Sequence, residues 1–419
     1  MKRYVLIGAG NRGYWMYADA IQNRYHDVAC LVGILDINRK RASYVSSQLP
    51  GNVPVYTDYD AMMRETKPDC AIIATVDRYH SEYIVKTLEL GVDIITEKPM
   101  TNDAAQCNAI LDAEQRTGRR ITVTFNCRFM PLISRLKEIL NDGVVGEVLN
   151  VHFEWMLDTV HGADYFRRWH RQMENSGGLL VHKSTHHFDI VNWLIGQDPA
   201  EVFANGALRV YGPTRTRRSE RCCTCPYAGQ CEFAYPDEND PGIRGMYFDC
   251  EKEDGYYRDR CVFDPEIDIY DTMSLTVRYK QGALMTYSLI AHSQRNEGTA
   301  RGRSVRHRRP GGRSVLPHQV VRPARRHGNL RPAQRRGKPR RRRRTSAPDA
   351  VPGRCAGHAR PVRGKPRRRD EHPDRNRGQS QHPGTPARDH RRTGPAGEAA
   401  LRNPQAAARR FLWIHQSRS

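Results

Sequence analysis

At 419 residues the chain is long enough for two or three domains with sizeable cores. Its formal net charge of +22 would by itself indicate nucleic acid or an anionic surface as partner, but residues 299–419 hold 32 Arg and 2 Lys against 6 Asp or Glu, a balance of +28 that leaves −6 for residues 1–298. The body is thus mildly acidic, and no stretch approaches the roughly 20 apolar residues of a membrane span, which excludes a membrane-spanning or wholly charge-driven reading.

The start, MKRYVLIGAG, has a basic pair but no apolar region of signal-peptide length, so a cytoplasmic protein is expected. Cys30, Cys70, Cys107 and Cys127 stand singly in apolar or helical surroundings, which suits a reducing compartment. Residues 1–128 alternate strand and helix: RYVLIG, YWMYADAIQNRY, ACLVGILD, DCAIIAT, YHSEYIVKTLELG, VDIITEK, AAQCNAILDAEQRTG and RITVTFN. Fully apolar strands alternating with helices predict an α/β Rossmann domain, a doubly wound parallel sheet covered on both faces.

Between the first strand and helix lies Gly8-Ala9-Gly10-Asn11-Arg12-Gly13, and Asp36 ends the next strand 23 residues beyond Gly13. Such glycines permit a tight turn and bring a pyrophosphate close to a helix N-terminus, where amides and dipole favour anions. Asp36 would accept hydrogen bonds from the ribose hydroxyls and favour NAD, while Arg39 and Lys40 could receive the 2′-phosphate of NADP. Further on, Lys98 of TEKPM stands at a strand's carboxyl end, the side on which such sheets bind ligands. It is either a surface lysine before a proline turn or a cation facing substrate beside the nicotinamide.

From Glu147 the pattern changes. EVLNVHFEWML, EVFANGALRVYG, DTMSLTVRYK and ALMTYSLIAHS read as strands, the last two joined by KQG as a hairpin. They predict an α+β domain with a largely antiparallel sheet over residues 129–298. Within it, HGADYFRRWHRQMENSGG offers aromatic faces with Arg and His donors suited to a polyhydroxylated ring, with Tyr165, Arg168 and Trp169 as candidates. GGLLVHKSTHHFDIVNW follows. Here His182, His186 and Asp189 fall at i, i+4 and i+7, one face of a single helix, and Lys183 lies off that face.

Residues 212–265 form a cysteine-rich insert containing RCCTCPYAGQC. Cys222, Cys225, Cys231 and either Cys250 or Cys261 begin with a CxxC pair and supply enough thiolates for a tetrahedral structural zinc or another structural metal; an iron–sulfur cluster and unligated or redox-active thiols are the alternatives. In residues 299–419 the only aromatics are Phe411 and Trp413, and Pro, Gly and like charge abound. Burial there cannot offset ordering entropy, so disorder is expected. The segment reads either as a nucleic-acid-binding tail or as a frameshift product of GC-rich DNA, and it lacks the RGG or SR period of many RNA-binding tails. A lost frame would truncate the second domain and leave an unpaired sheet edge. Translation of the coding DNA in its other forward frames beyond codon 294 separates the two.

The glycine-rich start, Thr96-Glu97-Lys98-Pro99, and Gly177-Gly178 followed by a His and Asp helix resemble, in consistent order over residues 1–298, the Gfo/Idh/MocA oxidoreductases, which include glucose-fructose oxidoreductase and inositol dehydrogenases. The resemblance implies that Lys98 sits near nicotinamide and substrate and that His186 is a general acid/base. His182 stands where the family commonly has aspartate, a departure, and Asp189 matches a further acid. Thr75 and His80 of ATVDRYH match a cofactor-lining stretch, although Val76 replaces its usual proline. Glu97 joins Gly8, Gly10, Asn11, Arg12, Gly13, Asp36 and Arg39 in the implied cofactor set. Asn126 and Arg128 match a junction segment, with Arg128 toward substrate, and Lys183, off the helix face, is a candidate for contact with substrate or with solvent. The free face of the second sheet implies a homo-oligomer.

Oxidising a secondary alcohol needs a base for the hydroxyl proton and a hydride acceptor beyond the carbon. His186 is expected as that base, Lys98 as the cation holding the oxygen and its developing charge, and His182 as an orienting or relay group. The expected function is therefore an NAD(P)-dependent oxidoreductase acting on a sugar, sugar derivative or cyclitol. Its rivals are a silent dinucleotide-binding protein whose tail holds nucleic acid, and an NAD-dependent glycosidase working by transient oxidation.

Overall fold

Two six-stranded sheets carry the structure, and the first is the one that both faces bury. A computed structural model of the chain describes residues 1–294, 297–305 and 320–321. Strands β1 (Lys2–Ile7), β2 (Ala29–Leu35), β3 (Val55–Tyr56), β4 (Cys70–Ile73), β5 (Asp93–Thr96) and β6 (Ile121–Val123) lie in the order β3-β2-β1-β4-β5-β6, every pair parallel. Leu6, Ile34 and Ile72 pack in one apolar layer, Val5, Ile7, Ala71 and Ile73 in the other, and all seven are essentially inaccessible. At roughly 1.5–3 kcal/mol per buried aliphatic side chain, these layers explain why continuous apolar runs form strands here. Strand order reverses between β1 and β4, so the crevice outside their carboxyl ends is the topological switch point.

The second sheet comprises β7 (Glu147–Asp158), β8 (Pro199–Ala207), β9 (Thr272–Tyr279), β10 (Leu284–Ser293), β11 (Glu297–Val305) and β12 (Val320–Val321), in the order β12-β11-β7-β10-β9-β8. Along β9, Met273, Leu275, Val277 and Tyr279 are buried while Ser274, Thr276 and Arg278 are exposed, the alternation of a sheet with one wet face. As expected, the sheet is largely antiparallel, and β10 beside β7 is the one parallel pair among the described strands. The edge that a lost frame would leave unpaired is covered, because β11 crosses the 298/299 boundary and runs antiparallel to β7 as far as Val305. The expectations for the rest of the tail, disorder, nucleic-acid binding or a lost frame, fall outside the described residues.

The single helix expected after Gly177 is broken into Gly178–His182 and Thr185–Ile195. Ser184 supplies the reason. Its hydroxyl donates to the Leu179 carbonyl and accepts from the Tyr287 hydroxyl on β10, tying the backbone to the sheet at the break. His182 and His186 therefore sit on different helices. Among the described residues no helix is long and apolar enough to cross a membrane.

Candidate active site

The turn after β1 admits no side chain at two of its glycines. Gly8 has φ +100°, and a Cβ there would stand 2.6 Å from the Ala74 carbonyl oxygen; at Gly13 it would collide with the Gly8 carbonyl. Gly10 is freer, meeting only the Tyr247 hydroxyl at 3.6 Å. Helix Asn11–Gly13 continues into a π-helical turn, Tyr14–Ala18, a distortion often found at functional sites. From that turn the Tyr17 hydroxyl donates to Glu97 Oε1, which also accepts from Arg12 Nε at 2.7 Å. Glu97, expected among the cofactor contacts, is thus committed to fastening the Lys98 turn onto the glycine helix, and Arg12 with it.

Asp36 closes the same turn. Its Oδ2 accepts from the Ala9 amide at 2.7 Å, and its Oδ1 from the Asn38 amide and Arg41 Nη1. Burial pushes its carboxyl up while the Arg41 guanidinium pulls the other way. Arg41 is also paired with Asp254 at 2.6 Å. Asp254 belongs to a part of the insert, residues 241–259, that sequence reasoning did not connect with the nucleotide end. There the Tyr247 hydroxyl accepts from the Asn11 amide at 2.7 Å, the Cys250 carbonyl accepts from Asn38 Nδ2, and Glu253 accepts from the Lys40 amide. Lys40 Nζ donates to the Asp249 carbonyl, and Arg39 is exposed. The glycine cradle and the acid just past β2 fit a dinucleotide.

At the carboxyl end of β5, Lys98 Nζ donates to the His182 carbonyl at 2.8 Å and lies 3.4 Å from His182 Nε2. On its other side His182 Nδ1 meets Asp77 Oδ2 at 2.6 Å. With Nδ1–H donating to the carboxylate, the Nε2 lone pair faces the ammonium. Rings of His170, Trp169 and Tyr165 enclose His182 at 4.3, 5.5 and 5.7 Å between centroids. Asp77 was not anticipated; its only signal is a lone acid just past apolar β4, at the sheet end that carries Lys98. Burial pushes the Asp77 carboxyl well up against the pull of Lys98, and it lowers the Lys98 ammonium against Asp77 and Glu97. His182 is driven well down by burial and then by Lys98.

His186 is buried, meets the Phe125 ring edge-on, and has an Nδ1 with no hydrogen-bond partner among the described residues. Burial, then the charges of Lys98 and Lys183, push it down to about 2. Lys98 is the leading charge acting on both imidazoles, although its direct contact is with His182, where His186 was the expected neighbour.

Other expected residues are placed differently. His80 has no exposure, its ring nitrogens lying 3.0 Å from the Pro99 and 3.3 Å from the Thr75 carbonyl oxygens, so it holds two turns together and leaves no face for a cofactor. The Thr75 hydroxyl turns back to the Val76 carbonyl. Arg128 forks onto Asp189, with Nε 2.7 Å from Oδ2, and lies over Trp193, so its guanidinium braces the Thr185–Ile195 helix. Arg168 pairs with Asp164 at 3.1 Å, and the Tyr165 hydroxyl meets His161 Nε2 at 3.1 Å. Trp169 stacks on His170, and Lys183 lies over Trp155. Cys250 leaves the cysteine set, since its Sγ donates to the Gly245 carbonyl and its segment packs on the first domain. Among the described residues no three His, Cys, Asp or Glu side chains are preassembled as a cation site.

The glycine turn after β1 and the lysine–imidazole pair beyond β5 share the sheet end at which dinucleotide-dependent oxidoreductases keep their chemistry, and comparison with known proteins agrees. Residues 2–125 match the oxidoreductase family with an NAD-binding Rossmann fold, and residues 137–301 match that family's C-terminal alpha/beta domain. The chain belongs to the Gfo/Idh/MocA oxidoreductase family. It is 39% identical over 307 residues to the Bacillus subtilis (strain 168) protein YteT, named an oxidoreductase, covering 69% of this chain and 72% of that one. Against the inositol 2-dehydrogenase of Rhizobium meliloti (strain 1021) it is 28% identical over 208 residues, spanning 50% of this chain and 59% of the relative. In fold it is similar to the WlbA dehydrogenase of Chromobacterium violaceum, solved with NADH and UDP-GlcNAcA, with a TM-score of 0.55 at 18% identity over 73% of this chain and 72% of that one.

Proposed function

We propose that this oxidoreductase removes hydride from a secondary hydroxyl of a sugar, sugar derivative or cyclitol, with NAD as acceptor. The observation that carries the proposal is the chain of contacts Lys98–His182–Asp77 at the switch point, together with the buried Nδ1 of His186, unpartnered among the described residues. The names of inositol 2-dehydrogenase and of WlbA with its nucleotide sugar support polyhydroxylated substrates.

When bound, the nicotinamide supplies the hydride acceptor. The chain's own residues do the rest. Lys98 holds the substrate oxygen and stabilises the negative charge that grows as its proton leaves. His186, whose buried Nδ1 has no hydrogen-bond partner among the described residues, is the ring placed to accept that proton. Asp77 fixes the His182 tautomer, so that His182 positions the Lys98 ammonium rather than reaching substrate itself. Trp169, half-buried beside His182, offers the face turned away from His170 to a sugar ring, whereas Tyr165 is buried between His161 and Arg168. A homo-oligomer through the outward face of β9 and β10 belongs to the same proposal.

The surroundings of Asp36 favour NAD over NADP. Arg41 already serves two carboxylates, and Glu253 stands on the Lys40 amide, so a 2′-phosphate would meet acids where it needs free cations. We expect kcat/KM for NAD to exceed that for NADP by about 100-fold, the equivalent of roughly 2.7 kcal/mol of charge repulsion. The assay is NADH appearance from the full chain with a panel of cyclitols and sugars. Failure of every polyol to yield NADH from protein with bound NAD overturns the function, and equal use of NADP overturns the cofactor preference.

A further inference from the structure

The insert contains a second cluster of reactive side chains that the dehydrogenase chemistry does not use. We propose that Cys222, Cys225, Cys231 and Cys261 together bind one divalent metal ion, zinc by ligand chemistry, and that this ion pins the base of the insert.

Four thiols separated widely in sequence line one cavity of about 20 Å³, room for a single water-sized occupant. None is in a disulfide. The backbone brings them there by two devices. A run of tight turns presents the first three: the Cys225 amide donates to the Cys222 carbonyl at 3.1 Å, Ala228 to Cys225 at 3.2 Å, and Cys231 to Ala228 at 3.2 Å. The fourth comes from an isolated antiparallel bridge, Arg221 with Arg260, flanked by the Cys222 amide on the Asp259 carbonyl and the Cys261 amide on the Glu220 carbonyl, each at 2.9 Å. The bridge sets Cys261 beside the CxxC turn and leaves Cys250 outside, which chooses between the two fourth ligands that spacing alone left open.

The charge around the cavity points the same way. Arg217 and Arg218 line it. Arg167 is buried, donates from Nη1 to Cys222 Sγ at 3.3 Å and from Nη2 to the Phe233 carbonyl, and interacts with Asp164 at longer range, with no carboxylate among the described residues within ion-pair distance. A buried guanidinium needs an anion. A metal-bound thiolate at Cys222 is one, and an N–H donor to a ligating sulfur is the usual outer support of such sites. Four thiolates on a divalent ion leave a net charge of −2, which the three arginines oppose. The four sulfurs are not preassembled as a cation site, so the ion draws them the remaining distance. Coordination exchanges four S–H bonds for four metal–sulfur bonds and releases the protons to solvent.

The full chain, purified under reducing conditions without chelator, is analysed for metal by plasma mass spectrometry, and the stripped protein is titrated with zinc ion while accessible thiols are counted with a disulfide reagent. We expect about one zinc per chain. Four thiols become protected on titration, Cys225→Ser and Cys231→Ser lose stoichiometric zinc, and Cys250→Ser retains it. Should the serine variants fail to fold, the thiol count on the parent chain and the intact Cys250→Ser variant still decide. No zinc uptake by the reduced parent, a Cys222–Cys225 disulfide in its place, or equal loss in Cys250→Ser overturns the proposal. Because the readout is stoichiometry, it stands or falls separately from the dehydrogenase reading.

Discussion

On the proposed function, replacing Lys98 by alanine lowers kcat/KM for a polyol substrate by about 10³-fold, the roughly 4 kcal/mol that one preorganised donor to a developing oxyanion supplies. The NAD dissociation constant moves by less than about threefold, under 1 kcal/mol, since no observed contact of Lys98 reaches the glycine cradle. Arginine does not restore turnover. Lys98 acts as a compact ammonium fitted between the His182 carbonyl and its ring nitrogen, whereas guanidinium is a broad planar fork. Steady-state NADH formation and quenching of protein fluorescence by NAD provide the two readouts. Turnover unchanged in Lys98→Ala removes this side chain from the mechanism.

Acid unfolds this protein early. His170, His182, His186 and His187 are all buried and pushed down by burial before any charge is counted, His186 to about 2. The folded state therefore holds these rings neutral, while the unfolded chain binds protons below its ordinary histidine value near 6.5. Stability from these four rings is lost as pH falls through that value, because at these positions only the unfolded state gains protons there. Between pH 7 and 5.5 each fully depressed histidine costs about 1.2 kcal/mol, and four together cost on the order of 5 kcal/mol, against a total stability of roughly 5–15 kcal/mol. Urea unfolding at the two pH values checks this. A midpoint that does not move would mean that these rings are charged in the folded protein.

How far the sequence led depended on how local each cause is. The strands of the first sheet are legible because Val5, Leu6, Ile7 and Ile34 must be covered on both faces, a demand written in consecutive apolar residues. Gly8 and Gly13 are legible because their neighbours exclude any Cβ. The His182 and His186 spacing is legible too, yet a single helix was the wrong inference, since Ser184 answers to Tyr287 about a hundred residues away. Asp77 on His182 and Tyr247 on Asn11 join positions 105 and 236 residues apart, contacts that docking of the second domain creates and no periodicity announces. For the same reason Arg128 reads as a substrate ligand until Asp189 is found in its fork.

The hydroxyl of Tyr247 on the Asn11 amide and the Arg41–Asp254 pair lace the insert to the nucleotide groove, while Lys98 laces the two domains at the reacting end. On the proposed function, these contacts on residues 241–259 would have to part before a dinucleotide could leave the groove, which would make that strap, remote from Lys98, a place where coenzyme exchange is slowed.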